Sequence, residues 1–286
     1  MAVADLCDVR CFYELLGQGE PLVLVPGLGV TSRIWDAVVP ELAEHFSVIL
    51  FDNRGVGQSQ AKRHPSKISD LSADIVELLD HLQVERAHVL GLSLGGVIAL
   101  RLAADHPQRI DHLVLASCTD RFTPYLRQVS MLLGRTLVGL RSDAFARTVE
   151  VLGSSPTYLD ADPEMIEERV RQKRAQRVPA RAIGRQLRCL AASEIDLERE
   201  PITAPTLVIA GEQDLLIPSC YGRSLSNRIV RSRFRLVSGA GHNPLVECPD
   251  VVLPEIIDFL KTKPVNGAVS SSAHRLTNLF AGGTSR

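Results

Sequence analysis

The chain reads as an α/β protein: a mostly parallel, doubly wound sheet with a helical insertion between two of its strands. Three observations lead there. Short apolar runs alternate with longer amphipathic stretches up to about residue 120 and again from about residue 201. That is the pattern of parallel strands covered on both faces by helices. A serine between two glycines, Gly91-Leu92-Ser93-Leu94-Gly95, stands where one apolar run gives way to a helical pattern. Between about Asp120 and Pro201 the alternation stops, and helix-forming segments follow one another.

Taken in order, Val9 to Leu15 reads as one or two edge strands, with a turn at Gly17-Gln18-Gly19. Pro21–Val25 and Ser47–Phe51 are near-continuous apolar runs of strand length, as expected of buried strands. Leu71, Ile75, Leu78, Leu79 and Leu82 recur at helical spacing. Ala87–Leu90 and Leu113–Ala116 are two further strands, the first followed by a helix from Gly96. Residues 164–177 and 180–192 carry the helical signal of the insertion. Strands resume with Thr206–Ala210 and Phe234–Val237, joined to the rest by right-handed crossovers. The expected division is a core of residues 1–120 and 201–262, a cap of residues 121–200 over the site, and a flexible tail of residues 263–286. The tail is rich in Ser, Gly, Ala and Thr, a composition too poor in apolar groups to pack. Leu276, Leu279 and Phe280 are its apolar residues with helical potential.

Composition narrows the function classes. Hydrophobic residues at 45% and charged residues at 23% fit a soluble globular protein. A net charge of −1 exerts no general pull on nucleic acid or anionic membranes. No apolar run approaches the roughly 18 residues of a membrane span. The first residues lack the basic and apolar regions of a secretory signal, so a cytoplasmic location is expected. Six cysteines without a C-x-x-C pair argue against a zinc site or disulfide framework, and are expected to be free and mostly buried. No metal or cofactor is expected, and oligomeric state leaves no signal. Residues 121–200 hold 13 Arg and one Lys against 11 acidic residues. Arg121, Arg127 and Arg135 could meet a substrate carboxylate, although most such charges belong to solvated helix faces.

The serine carries the chemistry. G-x-S-x-G between strand and helix is a nucleophile elbow, a turn so tight that glycines must flank the serine. A serine hydroxyl attacks a carbonyl when a base takes its proton. That base is usually a histidine oriented by a carboxylate. With this elbow the carboxylate and then the histidine should follow the serine in the chain, each just after a later strand. Asp214 closes Gly211-Glu212-Gln213-Asp214, directly after Thr206–Ala210. His242 closes Ser238-Gly239-Ala240-Gly241-His242, directly after Phe234–Val237. In isolation Asp214 reads as a turn residue and His242 as a loop residue. Their order and strand-end placement select the catalytic reading. Asp120, four residues past Leu113–Ala116, is the second choice of acid. The developing oxyanion needs donors, and the N–H groups of Leu94 and of Leu28, in Pro26-Gly27-Leu28-Gly29, stand where these are required. Neither G-x-G-x-x-G nor G-x-x-x-x-G-K-[ST] occurs, which disfavours phosphate binding by the glycine-rich loops. His88, inside a strand, reads as buried and structural.

Together, Pro26-Gly27-Leu28-Gly29, Asp52-Asn53-Arg54-Gly55-Val56-Gly57-Gln58-Ser59, Gly91-Leu92-Ser93-Leu94-Gly95-Gly96, Gly211-Glu212-Gln213-Asp214 and Gly241-His242 resemble the α/β-hydrolase superfamily over residues of about 10 to 262. The resemblance implies the α/β-hydrolase fold with Ser93 as nucleophile, Asp214 as acid, His242 as base, and Leu28 and Leu94 as oxyanion donors. It implies a structural role for Arg54. One departure stands out: Pro26 replaces the histidine common before the oxyanion glycine. The elbow and the run Ala204–Glu212 are similar to 3-oxoadipate enol-lactonases and small carboxylesterases. The expected function is hydrolysis of a small carboxylic ester or lactone through an acyl-enzyme. Alternatives are carbon–carbon bond hydrolysis, with Asn243 in place of a common aromatic counting against it, perhydrolysis of the non-metal haloperoxidase type, and a small-molecule receptor that retains the triad.

Overall fold

The computed structural model describes residues 1–139, 142–161, 163–176 and 178–262; the expected tail from residue 263 lies outside the described residues. Among these, nine strands pair into one sheet. In chain order they are β1 (Ala2–Asp5), β2 (Val9–Leu16), β3 (Glu20–Val25), β4 (Phe46–Phe51), β5 (Gln60–Ala61), β6 (Ala87–Leu92), β7 (Ile110–Ala116), β8 (Thr206–Gly211) and β9 (Ser232–Val237). The spatial order is β1-β2-β4-β3-β6-β7-β8-β9, with β5 also paired to β2. From β4 to β9 every pairing is parallel. The β1–β2, β2–β4 and β2–β5 pairs are antiparallel.

Side-chain alternation explains why the apolar runs are continuous. In β3, Leu22 and Leu24 enter one core while Val23 and Val25 enter the other. β4 divides Val48 and Leu50 from Ile49 and Phe51 in the same way. A period of two with both faces buried leaves few polar positions. On one face pack α2 (Ile68–His81), α3 (Leu94–Asp105) and α9 (Ser219–Arg228); on the other pack α1 (Val39–Ala43), α10 (Pro244–Glu247) and α11 (Pro249–Leu260). At the sheet edge β9 is partly exposed over most of its length.

Among the described residues, five helices lie between β7 and β8: α4 (Pro124–Gly139), α5 (Ser142–Gly153), α6 (Pro156–Ala161), α7 (Pro163–Ala175) and α8 (Ala180–Ala191). β7 and β8 still pair directly, Leu113 with Thr206. Among the described residues no helix is long and apolar enough to cross a membrane. All six cysteines are free. Cys11, Cys118 and Cys189 are buried, but Cys7 and Cys220 are exposed, which corrects the expectation that most would be inside.

Candidate active site

The strand order decides which loops meet. β3 lies between β4 and β6: the chain passes from β3 to β4 on one side and later returns across β3 to β6, so α1 after β3 and α3 after β6 cover opposite faces of the sheet. Such a switch point opens a crevice at the carboxyl ends of the two strands. The loop after β3 holds Leu28, and the residue after β6 is Ser93.

Ser93 adopts φ 57° and ψ −119°, a left-handed conformation that costs a non-glycine residue energy. Its surroundings enforce it. The Ser93 N–H donates to the Ala116 carbonyl of β7 at 2.9 Å, and its own carbonyl accepts from Val97 N–H at 3.2 Å. A Cβ at Gly91 would lie 2.3 Å from the Gly95 carbonyl oxygen, and one at Gly95 would lie 2.0 Å from that of Val25. Both contacts are impossible for a real side chain, so strand and helix cross as closely as they do because these residues are glycines. α3 starts at Leu94, which places its unpaired N–H groups and positive dipole end beside Ser93.

The Leu28 loop lies against the elbow. A Cβ built on Gly27 would be 3.6 Å from the Ser93 Cβ. Pro26 provides no imidazole here, and its carbonyl instead accepts from buried Asn53 Nδ2 at 3.2 Å. Helix α8 supports the loop from above: buried Gln186 accepts the Gly29 N–H at 2.8 Å. Gln176 accepts the Thr31 N–H at 3.2 Å. Among the described residues the N–H groups of Leu28 and Leu94 have no hydrogen-bond acceptor.

Asp214 and His242 come together. His242 Nδ1 lies 2.8 Å from Asp214 Oδ2. The other carboxylate oxygen accepts the N–H groups of Leu216 and Ile217, each at 2.9 Å. The Asp214 side chain is fully buried, so those three contacts replace its water. The two loops that carry the pair are laced together: Glu212 N–H donates to the Val237 carbonyl and Gln213 N–H to that of Ala240. A Cβ at Gly211 would meet the Gly241 carbonyl oxygen at 1.9 Å. Asp120 does not join them. Its carboxylate is paired with Arg228 and lies 3.5 Å from Arg121 Nε, so the second choice of acid is corrected to an ion-pairing residue.

Ser93, His242, Leu28 and Leu94 all line one cavity of about 140 Å³. Its walls are mostly apolar, including Val30, Leu126, Leu133, Val149, Leu187 and Leu216. Helices α4, α5, α7 and α8 supply much of that wall. The insertion also grips the histidine loop. Gly153 carbonyl accepts the His242 N–H at 2.7 Å. Glu247 Oε2 accepts from both Ser155 N–H and Gly241 N–H, at 3.0 and 2.8 Å.

Arg121 reaches the cavity, whereas Arg127 and Arg135 are exposed on α4. Sequence reasoning missed Glu150, Arg169 and Lys173, three charged residues in the cavity wall. The available signal was an acid on the face of α5 that also carries buried Ala146. Arg54 is a structural residue: its guanidinium is buried, pairs with Asp74, with Nε to Oδ2 at 2.6 Å, and donates to the Asp70 carbonyl at 2.8 Å. His88 is buried too, its ring 5.1 Å from that of His112. Among the described residues no group of three or more His, Cys, Asp or Glu side chains is placed to hold a metal ion.

Comparison with known proteins agrees with this fold. The model of the alpha/beta hydrolase fold family matches residues 20–249. The RutD protein of Azorhizobium caulinodans, a proposed carbamate hydrolase, is 27% identical over 252 residues, covering 88% of this chain and 95% of that one. A hydrolase from Pseudomonas aeruginosa superposes with a TM-score of 0.76 at 31% identity, covering 89% of this chain and 95% of its own. The enol-lactonase of Burkholderia xenovorans superposes with a TM-score of 0.79 at 28% identity, over 91% of this chain and all of its own. The chain belongs to the alpha/beta hydrolase fold family and is a hydrolase.

Proposed function

We propose that this hydrolase cleaves a small carboxylic ester or lactone through an acyl-enzyme on Ser93. The observation that carries the reading is the Asp214–His242 contact at 2.8 Å, in a histidine that shares its cavity with the strained Ser93 and two unpaired N–H groups. Asp214 accepts the Nδ1 proton, which leaves Nε2 free to act as base. Ser93 Oγ attacks the carbonyl carbon as His242 takes its proton. Leu28 and Leu94 N–H groups stabilise the oxyanion of the tetrahedral intermediate. Collapse breaks the ester bond, and His242 returns the proton to the departing alkoxide oxygen. Water, deprotonated by the same imidazole, then releases the acid. Helices α4–α8 act as the cap that shapes the acyl and alcohol pockets.

The similarity to RutD proteins favours a second reading in which the carbonyl belongs to a carbamate. The same attack would serve it, with an amine or alcohol leaving. A panel of esters, lactones, carbamates and vinylogous diketones separates these chemistries. Ser93→Ala should abolish turnover and covalent labelling by a fluorophosphonate probe. Persistent labelling of that variant would sink the assignment of the nucleophile. Tight binding of a small ligand without turnover of any substrate would favour a receptor.

A further inference from the structure

The cavity wall contains a charged group that ester cleavage does not require. Glu150 on α5 and Arg169 and Lys173 on α7 all line it. Arg169 and Lys173 are four residues apart, so they share one face of their helix. Lys173 Nζ contacts Glu150 Oε1, and Arg169 Nη1 lies 3.7 Å from Glu150 Oε2. The Glu150 side chain is 6% exposed, and the two cationic side chains are 20% exposed each. Arg169 also lies over the Tyr158 ring at 5.4 Å.

Charge balance makes the cluster informative. Among the described residues one carboxylate faces two cations, which leaves a surplus positive charge in a mostly apolar cavity. A balanced pair would suffice to brace α5 against α7. Surplus charge away from water is costly unless a counter-charge arrives, and attraction to that counter-charge is strong where water is scarce. Burial pulls the Lys173 ammonium below the usual lysine range against the opposing pull of Glu150, so the group gains from an added anion.

We propose that Arg169 and Lys173, held in place by Glu150, bind a carboxylate on the substrate and so determine specificity. The proposal rests on the hydrolase reading above. Position sets the substrate's size. Glu150 stands three residues before Gly153 on α5, about 4.5 Å along the axis, and the Gly153 carbonyl holds the His242 backbone. The carboxylate and the ester carbonyl should therefore be separated by a few carbons.

The test compares two 4-nitrophenyl esters of equal acyl length, the hemiglutarate and the valerate, which differ by carboxylate against methyl. The wild type should favour the hemiglutarate by about tenfold or more in kcat/KM, chiefly through KM, as expected for one charged contact. Lys173→Met should bring the ratio close to one, and Lys173→Arg should restore most of it. Equal kcat/KM on both esters in the wild type would overturn the proposal. So would a Lys173→Met variant that loses rate on both in proportion, the mark of a mere brace. Calorimetric binding of monomethyl glutarate to Ser93→Ala reads the same site without turnover. It should be at least about tenfold tighter than methyl valerate, which lacks the carboxylate, and weakened by adding Lys173→Met; equal binding would also overturn the proposal. If neither ester is cleaved while monomethyl glutarate still binds selectively, the ester-hydrolase reading fails and the anion site stands.

Discussion

Asp214 has no spare capacity for change. One oxygen accepts two backbone N–H groups and the other meets His242 Nδ1. Asp214→Asn keeps the shape but turns an amide donor toward the imidazole or toward the backbone N–H groups. An N–H facing Nδ1 stabilises the tautomer whose Nε2 already carries a proton and is therefore no base. kcat should fall by about 10³-fold or more with a nearly unchanged melting temperature; a fall below tenfold would remove Asp214 from the proposed triad. These site residues were legible because each ends a strand run and follows a fixed order. Glu150, Arg169 and Lys173 were not. Which of the many charges in residues 121–200 turn inward depends on how the helices are docked, and periodicity within one helix does not encode docking.

The elements place their glycines with different intent. Gly95→Ala would drive a methyl group into the Val25 carbonyl oxygen at the crossing of β3 and α3. Backbone cannot yield there cheaply, and a loss of about 2 kcal/mol or more is expected by denaturant unfolding. Gly134→Ala, in α4 with nothing within 4 Å of the new Cβ, should instead stabilise by about 0.5–1 kcal/mol through helix propensity. Equal effects in the two variants would contradict the crowding argument. Glu247 links the insertion to the histidine loop through Ser155 and Gly241. Glu247→Ala leaves two part-buried N–H groups without a partner, and kcat should drop about tenfold as His242 loosens. Most strands were legible from buried apolar runs. β1 was not, because of its four residues Ala4 alone turns inward. The run ending at Leu90 also continues to Leu92, since glycine at 91 reads as a break in sequence yet sits in register opposite Val25.

At the scale of the whole molecule, acid should destabilise the fold through His112. Burial, aided by neighbouring His88 and by Arg231, pushes this imidazole down to about 4, while Asp111 and Glu20 pull the other way. An unfolded chain protonates it near 6.5. Between those values the unfolded state binds more protons, so stability falls as pH drops from about 6.5 to about 4. The melting temperature of wild type should decline more steeply over that range than that of His112→Asn; parallel declines would exclude the histidine as the cause. A different consequence follows from the pairing of Leu113 with Thr206. That contact closes a loop of roughly ninety residues, yet closure entropy grows only with the logarithm of length, about 0.6 kcal/mol per doubling. The insertion can therefore lengthen, shorten or change its helices over evolutionary time at little cost to the sheet. Long-range pairing is slow, however. Ser93 belongs to the part of the chain that can fold before the loop closes, and Asp214 and His242 to the part that joins after it. During synthesis the chain can hold a formed elbow, with no acid or base beside it, until β8 and β9 dock.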